Sequence, residues 1–216
     1  MNQSAKALTG YEVRSDGRLI GSVGDLIVSK IGWSLRYLRV NLTSESQQSR
    51  LLPISVAAPL DNERGWVPVA LTLGEILGGP PVVTGRPLTR AEELAIHRHY
   101  CWAPYWHDTD AECEPSLIAL RDILGCQVDA IDGVVGPLTD LVVEDDFWTI
   151  LSLIAKPART PTESAVAIPP KLVDAVDIAG KRITVRARRS DLAAAGNRPG
   201  RDDPADASSG VTEKRA

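Results

Sequence analysis

Two stretches of the chain superpose on one another at a single offset, and this internal correspondence limits the fold more than any other feature of the sequence. Shifting by 115 residues aligns Gly10 with Gly125, Val13 with Val128, Gly21 with Gly136, Asp25 with Asp140, Leu26 with Leu141, Val28 with Val143, Trp33 with Trp148 and Leu38 with Leu153, without a gap. One residue more, at 116, aligns Pro53 with Pro169, Val67 with Ile183, Val69 with Val185, Glu75 with Asp191 and Ile76 with Leu192. Self-similarity of this kind marks a duplicated structural unit. The expected organisation is a first domain over 1–80, a helical and aromatic connector over 81–114, a divergent second domain over 115–195 and a disordered tail over 196–216.

Each copy reads as short strands. Asp16-Gly17 and Asp132-Gly133 are the dipeptides of tight hairpins, flanked by Val13 and Leu19-Ile20 in the first copy and by Val128 and Val134-Val135 in the second. Val23–Val28 and Trp33–Val40 are β-branched and aromatic runs too short for ordinary helices. From Lys181 to Arg188 apolar and polar residues alternate, which puts Ile183, Val185 and Ala187 on one face. Many short strands with no helix of crossover length imply a small antiparallel barrel per copy, so the expected fold class is mainly β, with two small antiparallel barrels. Between them, Thr89-Arg90-Ala91-Glu92 is a capping box with Leu88 as its staple, predicting a helix near Thr89–Tyr100. That helix leads into Tyr100, Trp102, Tyr105 and Trp106, a dense group for a chain only 5% aromatic. The last residues, 193–216, lack apolar periodicity.

The residues Leu8-Thr9-Gly10-Tyr11, Asp16-Gly17, Ile20-Gly21-Ser22-Val23-Gly24-Asp25-Leu26-Ile27-Val28 and Trp33 to Val40 resemble the PRC-barrel family. That family includes the cytoplasmic domain of the photosynthetic reaction centre H subunit and the C-terminal domain of ribosome maturation factors. Leu52-Pro53-Ile54 and Val67–Leu73 fit as its later strands. The second copy, from Gly125 through Gly136-Pro137-Leu138-Thr139-Asp140 to Trp148, is in register but has Leu151-Ser152 where the first has Arg36-Tyr37. The connector Arg90–Trp106 is similar to the linker of soluble bacterial proteins with two such barrels. The resemblance implies two PRC-type barrels and a soluble protein similar to the H subunit's cytoplasmic part. It specifies a fold better than an activity.

Chemical motifs add little. Asp25 and Asp140 sit before strands, where short carboxylates accept backbone N–H bonds. Trp33 and Trp148 are expected in the core. His97 and Cys101 are spaced i, i+4 with His99, His107 and Cys113 nearby, yet no Cys-x-x-Cys or His-x-x-x-His occurs, so no metal site is expected. No Gly-x-Ser-x-Gly elbow, phosphate loop or dinucleotide motif is present. The reading is a protein without catalytic residues, cofactor or metal.

The 24 basic and 28 acidic residues give a net charge of −4. By region the balance is +1 for 1–80, −3 for 81–114, −2 for 115–192 and zero beyond, as counted along the sequence. Nucleic-acid binders usually carry a positive excess, so this argues against RNA as a partner; Arg182, Arg186, Arg188 and Arg189 make the one basic patch. The resemblance to ribosome maturation factors implies an alternative function, an RNA-processing or ribosome-assembly accessory protein. The function favoured over it is an interaction module for a protein partner or a second copy, anchored on Tyr100, Trp102, Tyr105 and Trp106. Three cysteines without a disulfide pattern and the lack of a signal-like N-terminus point to the cytoplasm. No run reaches membrane-spanning length, which leaves only peripheral membrane contact open.

Overall fold

A computed structural model describes residues 2–43, 48–82, 86, 88–106, 116–157 and 165–195. The expected tail over 196–216 lies outside these residues. The chain begins with β1 (Asn2–Ser4), α1 (Ala5–Leu8), β2 (Glu12–Ser15), β3 (Arg18–Ser29), β4 (Ser34–Leu42), β5 (Ser49–Pro53), β6 (Trp66–Val69) and α2 (Leu73–Gly78). The connector supplies α3 (Arg90–His99). There follow β7 (Leu117–Ala119), α4 (Leu120–Ile123), β8 (Gln127–Ala130), β9 (Gly133–Glu144), β10 (Thr149–Ala155), β11 (Val166–Ile168), β12 (Val173–Asp177), β13 (Arg182–Val185) and α5 (Arg189–Ala195).

The protein is mainly β, and its strands join in one large mixed sheet that is not closed. Two differences from a purely antiparallel arrangement are clear. β2 pairs with β6, and β8 with β13, in parallel. Alternation within a strand gives its buried face, not the direction of its neighbour, so the sequence could not show this. The face itself is as expected on β13 and just beyond it: Ile183, Val185 and Ala187 are buried.

The halves exchange their first strands. Asn2, Gln3 and Ser4 of β1 pair with Glu144, Val143 and Val142 of β9, while Leu117, Ile118 and Ala119 of β7 pair with Ser29, Val28 and Ile27 of β3. Each of these pairs becomes the other on shifting by 115. At the junction Ser34 of β4 faces Thr149 of β10; the Leu35 amide donates to the Trp148 carbonyl at 3.1 Å and the Ile150 amide to the Trp33 carbonyl at 3.1 Å. A local two-fold arrangement therefore runs through the centre of the sheet. Trp33 and Trp148 close the hairpins there, both buried and both at positive φ, +46° and +54°.

Register irregularities follow the same shift. The β3–β4 region bulges at Ile20, Gly24 and Arg36, the β9–β10 region at Val135, Thr139 and Leu151. Gly21 and Gly136 are glycine because the next strand passes against them: a Cβ would lie 2.2 Å from the Asn41 carbonyl oxygen or 2.0 Å from that of Lys156. Gly10 and Gly125 take φ of +96° and +81°, and their amides donate to Val23 and Leu138 at 2.8 Å in both cases. Asp16-Gly17 makes the two-residue turn expected of it, with both φ positive. Its counterpart is displaced by one residue: Ala130 pairs with Gly133, so Ile131-Asp132 form the loop and Gly133 opens β9. Positions 193–195, grouped with the tail by composition, belong to α5, which occupies the place of α2 shifted by 116. No helix among the described residues is long and apolar enough to cross a membrane.

Candidate functional site

The most connected polar cluster lies where α3 crosses β4. Thr89 caps α3 as its sequence predicts: its hydroxyl accepts from the Glu92 amide at 3.3 Å, and its amide donates to Glu92 Oε2 at 2.9 Å. This cap fixes the start of the helix, and i, i+4 spacing then places Glu93 and His97 on one buried face. Facing them is Tyr37 of β4, buried in a small cluster with Leu51, Ile96 and Leu117 apart from the main core.

Tyr37 Oη donates to Glu93 Oε1 at 2.8 Å and lies 2.8 Å from His97 Nε2. The one phenolic proton goes to the carboxylate, so the network assigns the imidazole as the Nε2–H tautomer, donating to the Tyr37 oxygen. Tyr105 Oη also donates to Glu93 Oε1, at 2.8 Å, and Arg90 Nη1 meets Glu93 Oε2 at 2.6 Å. Glu93 is 0% exposed; a buried carboxylate is tolerable only when its lone pairs are filled, and three donors fill them. Burial and the Glu93 charge push the Tyr37 hydroxyl well above its ordinary range, and the same two causes raise Tyr105 to about 12. Burial pushes His97 below its usual value, with Glu93 opposing. Both phenols therefore stay protonated and the imidazole neutral near neutral pH.

The four aromatics singled out in the sequence wrap this network. Trp106 lies edge-on to His97 at 4.8 Å between ring centroids, Trp102 meets the same ring at 6.4 Å, and Tyr100 stacks on Trp102 at 4.7 Å. Two guanidinium groups cover rings: Arg90 over Trp106 at 4.2 Å and Arg36 over Tyr105 at 4.1 Å. The rings thus dock on α3 and on β4 of the first half. Tyr100 and the two tryptophans are half-buried, whereas Tyr105 is 40% exposed.

The histidines and cysteines around α3, from which no metal site was expected, lie apart where they are described. His97 points into the network, His99 Nε2 contacts the Glu75 carbonyl at 2.8 Å, and Cys101 is exposed; His107 and Cys113 lie outside the described residues. Among the described residues no three His, Cys, Asp or Glu side chains gather as a metal site would require.

Asp25 and Asp140 lie within β3 and β9 and not before strands, but both accept backbone N–H bonds as expected. Asp25 Oδ1 accepts from the Leu26 amide at 2.9 Å and the Arg121 amide at 3.4 Å; Asp140 Oδ1 accepts from Leu141 at 2.8 Å and Lys6 at 2.9 Å. Each thus holds the start of the short helix contributed by the opposite half. Asp25 also lies 3.0 Å from Arg121 Nε and 3.4 Å from Arg39 Nη2. Three of the four arginines in the basic patch are paired, Arg182 with Asp129, Arg186 with Asp174 and Arg189 with Asp132.

Sequence reasoning found the rings but missed Arg36, Tyr37, Arg90 and Glu93. A signal was present: Arg36-Tyr37 is replaced by Leu151-Ser152 in the second copy, and only the first copy receives α3. The chain matches no family model and none of the curated proteins.

Proposed function

We propose that this chain is a non-catalytic interaction and assembly module, a tandem PRC-type protein resembling the reaction centre H subunit's cytoplasmic domain, that docks a protein partner on the connector face of its first half. The observation that carries this reading is Tyr105. Its ring is exposed, yet it is immobilised by the hydrogen bond to buried Glu93 and by Arg36 lying over its face. An aromatic ordered before binding loses little rotamer freedom on association, which is what makes Tyr and Arg frequent anchors of interfaces. Trp102 and Trp106 spend much of their surface on His97 and serve this reading as the support beneath the anchor. Pairing of Arg182, Arg186 and Arg189 with aspartates leaves that strand little free charge for phosphate, which favours a protein partner over RNA.

A photo-crosslinking residue at position 105, set against one at exposed Ile131, tests the reading in source cells. Adducts to a defined protein or to a second copy are expected from 105 alone, and Tyr105→Ala should abolish capture while the melting transition persists. Equal adducts from both positions, or RNA as the main adduct, would overturn it.

A further inference from the structure

Arg36 is the unusual cation of this surface. It sits at the bulge of β4, a feature that re-aims one side chain out of the strand's alternation. Its Nε is sealed from solvent without a hydrogen-bond acceptor, its guanidinium covers the Tyr105 ring, and the residue as a whole keeps intermediate exposure. No carboxylate among the described residues comes within ion-pair distance of it. Arg90 gives the contrast on the same face: it too covers a ring, but Glu93 neutralises it. Arg50, which has no ion pair among the described residues either, is bonded to the Ser49 and Leu77 carbonyls and to Gln48. A half-buried guanidinium held against an aromatic, with no ion-pair partner among the described residues, is a preorganised receptor for a carboxylate, since its plane is already fixed and part of its hydration already removed.

We infer that the partner segment seated on Tyr105 is acidic, with an Asp or Glu carboxylate received by Arg36 and an apolar neighbour on the Tyr105 ring. This rests on the docking reading above and adds the chemistry of the occupant. The second half offers no equivalent, because Leu151 stands at the corresponding bulge, so one such segment binds per chain.

The test uses the full chain and a short fluorescein-labelled peptide alternating Glu with Leu, beside the same peptide with Gln for Glu, followed by fluorescence anisotropy at low and physiological salt. The Glu peptide should bind at least about tenfold tighter than the Gln peptide, with the advantage shrinking as salt rises. Arg36→Leu, which places at this bulge what the second half already carries, should remove that advantage at an unchanged melting temperature. Arg36→Lys should retain only part of it, because an ammonium is not a planar fork. Equal binding of the two peptides, an Arg36→Leu variant with undiminished preference, or an Arg36-dependent single-stranded RNA oligonucleotide that binds more tightly than the Glu peptide would overturn the inference. If crosslinking from position 105 succeeds while the Glu preference is missing, the docking reading stands and the acidic occupant is rejected. Should the reverse hold, the docking reading fails by itself.

Discussion

Asp25 and Asp140 occupy matching positions and hold matching helix starts, so substituting each with alanine isolates what differs around them. Asp140→Ala removes the acceptor for the Lys6 and Leu141 amides and for the Ser4 hydroxyl, 2.5 Å away. These groups are near solvent, so water takes over part of the bonding; a lost cap of this type costs about 1–2 kcal/mol. Asp25→Ala removes similar bonds and also takes away the carboxylate that pairs with Arg39. That guanidinium is buried, and the place it would have in the second half is taken by Ile154. Breaking a buried pair from one side costs about 3–5 kcal/mol, whereas half-exposed Arg121 adds little. At about 2–4 °C per kcal/mol for a chain of this size, calorimetry at neutral pH should show Asp25→Ala, which bears both costs, melting about 8–28 °C below wild type and Asp140→Ala about 2–8 °C below. The double variant Asp25→Asn with Arg39→Ile should recover most of the deficit, because burial already raises the Asp25 carboxyl against its ion-pair partners, and an apolar substitute for a buried pair is often nearly neutral. Equal losses from the two alanine variants, or a double variant no better than Asp25→Ala, would refute the account.

Glu92, held by Arg86 and Thr89, has its carboxyl lowered to about 2 from an ordinary value of 4.5, so its contribution is complete above pH 4.5 and is lost as pH falls through about 2; Glu92→Gln should flatten the acid limb of a melting-temperature profile over that range. Gly21→Ala and Gly136→Ala should each cost more than about 2 kcal/mol by chemical denaturation, because backbone stands where the methyl would go, while Gly17→Ala, whose added carbon meets nothing within 4 Å, should cost about 1 kcal/mol for its positive φ alone. Trp33→Ala should cost about 3–5 kcal/mol, and an unchanged melt would show that its ring does not fill the junction. Tyr37→Phe leaves one buried donor site and one acceptor site without a partner and should cost about 1–3 kcal/mol, measured by urea titration.

What the sequence makes legible is local or periodic. The capping box at Thr89 needs four residues, the turn at Asp16-Gly17 needs two, and the alternation around Ile183 needs one strand. The same capping pattern at Thr72, with Glu75 completing it, is a weaker signal because fewer than two helical turns separate it from the Gly78-Gly79 break. The strand exchange is different in kind. Nothing in Asn2–Ser4 says that its partner is Val142–Glu144, because strand pairing is chosen by the whole folded arrangement and leaves no local period. The offset of 115 contained a hint all the same: Asn2–Leu8 aligns with Leu117–Ile123 with no identity, yet Leu8 and Ile123 are both buried and both segments turn from strand to helix. The buried Tyr37–Glu93–His97 network was illegible for a similar reason, since Tyr37 and His97 are 60 residues apart and meet only once α3 lies across β4.

The duplication also explains why the candidate site appears only once. A symmetric frame gives two equivalent bulges, at Arg36 and at Leu151, and each re-aims a side chain away from its strand. Only the first is followed by a connector whose helix can lie on it, because α3 leaves the first half before the second has begun. With α3 present, the bulge position carries a cation, the next residue a phenol, and the helix supplies the carboxylate that orients that phenol and Tyr105 together. Without it, the same two positions carry Leu151 and Ser152. The frame is therefore held by the residues the halves share, Gly21 and Gly136, Asp25 and Asp140, Trp33 and Trp148. The proposed recognition face depends on the residues they do not share, and substitutions should separate accordingly: changes at the shared positions lower stability, and changes at Arg36 or at the ring of Tyr105 lower binding first.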